Sequence, residues 1–219
     1  MSRPLLAAGA AATVLASALL ANPASAVTTR GIVAPPDKIV IEIATVNGSG
    51  CPQGTAAIAV SPDNTAFTVT YSDYLAQVGV GSKPTDFRKN CQLSLIVHVP
   101  GGFTYAVASA DYRGYAHLES GANAVQKASY YFQGSPDTAS RSHPYSGPYD
   151  NNWQATDETD WGQLVWAPCG VKRHFNINTE LRVNAGTSDP KKTNSFIAMD
   201  STDGDIKTIY RLAWKECPA

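Results

Sequence analysis

The nine residues Asp111-Tyr-Arg-Gly-Tyr-Ala-His-Leu-Glu119 form the chain's densest group of side chains able to hold a charge or move a proton. In an extended strand, side chains alternate with a period of two. Asp111 and Arg113 would then share a face, and so would His117 and Glu119. A glycoside hydrolase needs two carboxyls at a defined separation, one of them with a raised pKa. Glu119 and Asp111 are the candidate pair for such acid–base work, with His117 beside them. The plainer expectation is a tyrosine-rich strand in which Arg113 and an acid form a structural ion pair.

A second group lies in the polar segment 133–162. Tyr145, Tyr149, Trp153 and Trp161 sit there among Pro136, Pro144, Pro148 and many Ser, Asp and Asn residues. Aromatic faces take the CH groups of a sugar ring, while amides and carboxylates take its hydroxyls. These four rings are therefore candidate binding residues for a carbohydrate or cell-wall polymer. The composition reads as one long loop, and loops of that length inside a domain are uncommon and often functional. The alternative is that the rings clamp the loop onto the body of the domain.

Other chemistries find no support. Asp200-Ser-Thr-Asp-Gly-Asp205 resembles a calcium loop but fails its spacing. With Gly204 at the glycine position, the first ligand position falls on Met199. Asp203-Gly204 reads instead as a tight hairpin turn between strands at 196–199 and 206–214. There is no Gly-x-Ser-x-Gly elbow, His-Glu-x-x-His, phosphate loop or Gly-x-Gly-x-x-Gly. His98, His117, His143 and His174 lack ligand spacing, and there is no Cys-x-x-Cys. Neither metal nor cofactor is expected. The basic spot Arg88-Lys89 beside Cys91 is too small for a nucleic-acid patch, and a formal net charge of −1 gives no electrostatic drive toward nucleic acid.

The start of the chain carries an export pattern. Arg3 precedes an apolar run over residues 5–20, and Ala24-Ser25-Ala26 offers the small-x-small cleavage site. The run falls short of the roughly 20 residues that cross a bilayer. The expectation is a leader of residues 1–26 cleaved after Ala26, and a secreted chain with no membrane attachment. Cys51, Cys91, Cys169 and Cys217 all follow the leader, and an even count in an exported chain implies two disulfides. Three pairings are open; the expected one is local to each half, Cys51–Cys91 and Cys169–Cys217.

The elements between these groups are short and β-branched. Ile39, Ile41 and Ile43 alternate with Val40, Glu42 and Ala44. Residues 55–60 and 66–71 flank Ser61-Pro-Asp-Asn64, which is hairpin chemistry. Leu93, Leu95, Val97 and Val99 share a face. Residues 103–110 and 125–132 continue the pattern, and 175–183 is the cleanest amphipathic strand. No sustained helical period follows the leader. The expected fold is all-β: an antiparallel β-sandwich, jelly-roll-like, with little helix outside the leader. Residues 27–37 would be a flexible lead, and 38–219 a single domain acting as a monomer.

Several motifs occur in order: Gly50-Cys-Pro-Gln-Gly-Thr55, Phe67-Thr-Val-Thr-Tyr-Ser72, Arg88-Lys-Asn-Cys-Gln-Leu93, Gly102-Phe-Thr-Tyr105, Asp111-Tyr-Arg-Gly-Tyr115, Leu164-Val-Trp-Ala-Pro-Cys-Gly170 and Asp200-Ser-Thr-Asp203. Together they resemble a family of small secreted bacterial and fungal proteins, the domain of unknown function 4360, over about residues 39–217. The resemblance implies an exported single domain with these four cysteines, and it carries over no catalytic residues. The leading functional expectation is a non-enzymatic extracellular binding module, with carbohydrate or a cell-wall polymer as partner. The alternatives are an extracellular hydrolase using Glu119 or Asp111, and a secreted inhibitor or interaction protein acting through 133–162.

Overall fold

Period-two alternation governs nearly every element of the computed structural model, which describes residues 34–199 and 208–218. The expected leader lies outside the described residues. The strands are β1 (Val40–Asn47), β2 (Ala56–Val60), β3 (Ala66–Tyr71), β4 (Leu75–Gly79), β5 (Arg88–His98), β6 (Phe103–Leu118), β7 (Asn123–Phe132), β8 (Thr138–Ser146), β9 (Tyr149–Glu158), β10 (Phe175–Asn184), β11 (Asn194–Ala198) and β12 (Thr208–Glu216). All pairings are antiparallel.

Two sheets result. One runs β1-β5-β10-β7-β8; the other runs β2-β3-β12-β6-β11-β4, with β9 also paired to β6. The all-β antiparallel sandwich expected from the strand patterns is what forms. Leu93, Leu95, Ile177 and Leu181 from the first sheet pack with Phe67, Val69, Tyr112 and Tyr210 from the second. Each such side chain contributes about 1.5–3 kcal/mol by leaving water. The alternation read at Ile39, Ile41 and Ile43 is the inward face of this edge; a register shift between Ile43 and Thr45 then turns Val46 inward.

β6 is the hub of the second sheet. Ser109, Ala110 and Asp111 pair with β12 on one edge and β9 on the other. Tyr115, Ala116 and His117 pair with β11 and β9. A strand has two edges, so β11 and β12 follow one another along the same edge of β6. This corrects the hairpin expected between them. Asp203-Gly204 lies outside the described residues, and β11 and β12 do not pair with each other. A strand of 16 residues is long enough to seat both end to end.

The segment 133–162 is also corrected. Most of it is two strands, β8 and β9, rather than a loop. β8 closes one edge of the first sheet against β7, and β9 closes the second against β6. Both disulfides form the local pairs, Cys51–Cys91 and Cys169–Cys217, with Cα separations of 5.3 and 5.8 Å. The end of the lead is held as well: the buried Asn64 side chain donates to the carbonyls of Pro35 (3.0 Å) and Asp37 (2.8 Å) and accepts from the amide of Ile39 (3.1 Å). Residues 35–37 are thus fixed to the β2–β3 turn, unlike the flexible lead expected over 27–37.

Candidate binding cleft

Beyond β9 the chain turns back along the first half of β6. The amide of Thr159 donates to the Ala108 carbonyl (3.0 Å) and that of Ala167 to the Tyr105 carbonyl (2.9 Å). The Thr104 hydroxyl donates to the Ala167 carbonyl (2.7 Å), and Cys169 is bonded to Cys217 just past β12. Residues 159–169 form a strap, with a single 3-10 turn at Trp161–Gln163. Between this strap and β8 lies a cleft of about 820 Å³, walled by Thr138, Ser140 and Arg141 on one side and by Gln163, Leu164 and Trp166 on the other.

The indole of Trp161 stands edge-on to that of Trp166, centroids 5.1 Å apart, and is 52% exposed. Lys215 Nζ lies 4.3 Å from the Trp166 ring centroid, a cation–π contact that helps fix the ring. The Arg141 guanidinium donates to two backbone carbonyls, Ser140 (3.0 Å) and Glu158 (3.3 Å), the second on β9.

Beside the cleft is a cavity of about 20 Å³ lined by Asp157, Tyr130, Ser109 and Thr159 together with Val107, Ala110, Ala139, Val165 and Phe175. Ala139, Thr159 and Val165 line both spaces. Asp157 is buried. It accepts from the Tyr130 hydroxyl (2.9 Å) and pairs with His143 Nε2 (2.6 Å). Burial pushes its carboxyl above the ordinary range, against the opposing pull of His143 and Arg141. These residues face inward because β7, β8 and β9 present Tyr130, His143 and Asp157 on their core sides.

The four rings singled out from the sequence separate into two places. Tyr145 packs against Trp153 (5.5 Å) and Tyr149 (6.1 Å) at one end of the β8–β9 edge. Trp153 is buried there and donates its indole N–H to the Ala198 carbonyl (3.1 Å), so it clamps strands and presents no face to solvent. The Tyr149 hydroxyl donates to the Asn152 carbonyl (2.9 Å). Trp161 stands beyond the other end of β9, against the cleft-lining Trp166.

Asp111 and Glu119 are likewise apart. Eight positions along an extended chain span roughly 25 Å, against the roughly 5–9.5 Å that glycosidase carboxyls require. Asp111 is tied to Arg211 Nη1 (2.6 Å) and accepts from the Thr156 hydroxyl (2.8 Å). Its ion-pair partner is therefore Arg211 of β12 rather than the expected Arg113. Burial pushes the Asp111 carboxyl up, but the Thr156 hydroxyl and the Arg211 charge outweigh it and hold the pKa low. His117 sits between Asp150 (3.2 Å) and Glu119 (3.5 Å) on the solvent face of β6, stacked on Phe196, and the Tyr115 hydroxyl donates to Asp150.

Sequence reasoning missed Trp166, Arg141, His143 and Asp157. Arg141, His143 and Asp157 were hidden by the composition of 133–162. Trp166 was legible only as one ring beside Cys169. Among the described residues no cluster of three or more His, Cys, Asp or Glu could hold a metal ion.

The architecture and the edge cleft define a disulfide-stapled, two-sheet β-sandwich domain with a tryptophan-walled groove. The chain belongs to the family described as Domain of unknown function (DUF4360), which matches residues 37–217. An "Uncharacterized secreted protein" of Arthroderma benhamiae is 39% identical over 182 residues, spanning 83% of this chain and 73% of that protein. Among solved structures, the enzymatically active domain of bacteriophage CBA120 tailspike protein 4 aligns with 79% of this chain and 19% of its own, at 12% identity and a TM-score of 0.26. A likeness that slight carries no argument about fold or ligand.

Proposed function

We propose that this chain is a secreted, non-enzymatic binding module that takes a carbohydrate into the cleft between β8 and the strap. The observation that carries the reading is the cleft itself. It has room for several sugar units, an indole wall at Trp166 and polar side chains at Ser140 and Gln163, and the half-exposed Trp161 ring lies against Trp166 next to it. Such a surface stacks on sugar CH groups and reaches hydroxyls at the rim. Secretion is supported by the export pattern of residues 1–26, by two disulfides and by the fungal relative, described as a secreted protein. A non-catalytic role is supported by Asp111, which is committed to Arg211 and Thr156 far from Glu119.

The test is a glycan array and polysaccharide pull-down with the wild type, Trp161→Ala and Trp166→Ala. Binding that falls by tenfold or more in both variants is expected. An array without signal, or binding untouched by both substitutions, overturns the reading.

A further inference from the structure

The carboxylate in the cavity beside the cleft is underused. Asp157 accepts one hydrogen bond on each oxygen, from Tyr130 and from His143. A carboxylate offers about four lone-pair sites, so about half its acceptor capacity is left at a cavity it lines. That cavity, about 20 Å³, is the size of a single water. Thr159 adds a residue with a hydroxyl to its lining, and Ala139, Thr159 and Val165 are shared with the cleft alongside.

We propose that this cavity is the recognition point of the cleft: it holds one water on Asp157 in the free protein, and a hydroxyl of a neutral glycan takes that water's place in the complex. The inference rests on the carbohydrate reading above and names the ligand class it takes. An acceptor at the cavity demands a donor from the ligand, which a sugar hydroxyl supplies. A uronate would set its own carboxylate near Asp157 and Asp137. Arg141, the cation of this wall, already donates to the Ser140 and Glu158 carbonyls.

The site is also proton-linked. The titratable groups around Asp157 are Tyr130 from β7, Arg141, His143 and Tyr145 from β8, and Tyr112 from β6. Protonation of Asp157 removes acceptor strength at the cavity, so affinity falls as the pH drops through its raised pKa.

The experiment compares the wild type, Asp157→Asn, Thr159→Val, Trp161→Ala and Trp166→Ala on neutral polymers (a β-glucan, a xylan, a mannan and chitin) and on alginate and polygalacturonate. The expected result is binding to at least one neutral polymer, weakened about tenfold or more by Asp157→Asn, since hydrogen bonds to a charged group contribute about that much. Thr159→Val, which leaves both partners of Asp157 in place, weakens it about threefold. Preference for the uronates overturns the proposal. Loss in the tryptophan variants with Asp157→Asn and Thr159→Val unchanged overturns it while the cleft reading stands. Binding to no polymer, or binding that ignores all four substitutions, overturns both. A crystal structure of the free protein at high resolution gives a ligand-free check: an ordered water on the Asp157 carboxylate supports the proposal, and a dry cavity overturns it.

Discussion

Trp153 lies directly over Gly114. The two are partners across the β6–β9 ladder, and the indole also reaches beyond β6 to the Ala198 carbonyl of β11. A Cβ on residue 114 would come within 1.9 Å of the Ala198 oxygen and 2.6 Å of the Trp153 ring. The glycine is required by this close approach. Gly114→Ala is expected to lower unfolding stability by about 2–3 kcal/mol, the usual cost of overpacking a rigid site. Denaturant unfolding followed by tryptophan fluorescence measures it; an unchanged midpoint would show that the strands part easily here.

Asp111 makes a structural rather than a chemical contribution. Asp111→Asn keeps the shape but strips the charge that Arg211 and Thr156 address. The expected loss is about 1–2 kcal/mol at neutral pH, toward the low end because Arg211 is half exposed. Its folded pKa is depressed. The stability it adds is therefore present above the unfolded value and disappears as pH falls through the folded one. Urea midpoints of the two proteins should converge in acid.

Asp157 has the opposite sign. Burial raises its folded pKa, so the folded state holds this proton more tightly than the unfolded state does. Its contribution is greatest in acid, and it is lost as pH rises through the raised value. Asp157→Asn should flatten the stability profile across mildly acidic pH. An unaltered slope between the two proteins would contradict burial as the cause.

The disulfides differ in accessibility. Cys51 and Cys91 are buried, whereas Cys169 is exposed. A mild reductant is expected to open Cys169–Cys217 first, which alkylation and peptide mass mapping would register. Replacing either pair by alanine is expected to cost about 4 kcal/mol, given sequence separations of 40 and 48 residues.

The strands legible in the sequence are those whose inward face is apolar. Ile39 to Ile43, Phe67 to Tyr71, Leu93 to Val99 and Phe175 to Val183 announce themselves by alternation. β8 and β9 do not, because their core-side positions include His143 and Asp157. Buried polar residues are tolerable only when paired, and the partners of Asp157 come from other strands: Tyr130 of β7 and His143 of β8. No one-dimensional pattern displays such a pairing. The concealment of β8 and β9 and the candidate site thus share one cause: polarity facing the interior. The Asp203-Gly204 hairpin misled for another reason, since a turn signal cannot tell whether its arms pair with each other or lie end to end along a third strand.

The strap of residues 159–169 has a consequence for binding thermodynamics. Backbone hydrogen bonds to Tyr105 and Ala108, the Thr104 hydroxyl and the Cys169–Cys217 bond hold its two ends, and the buried Leu164 packs its middle with Ala106 and Ala213. The wall that a ligand of the proposed cleft would meet is therefore preorganised, and the conformational entropy usually surrendered on closure has already been lost during folding. Association at such a wall is rigid docking without a lid to order, so ligand chemistry, rather than loop closure, sets the affinity.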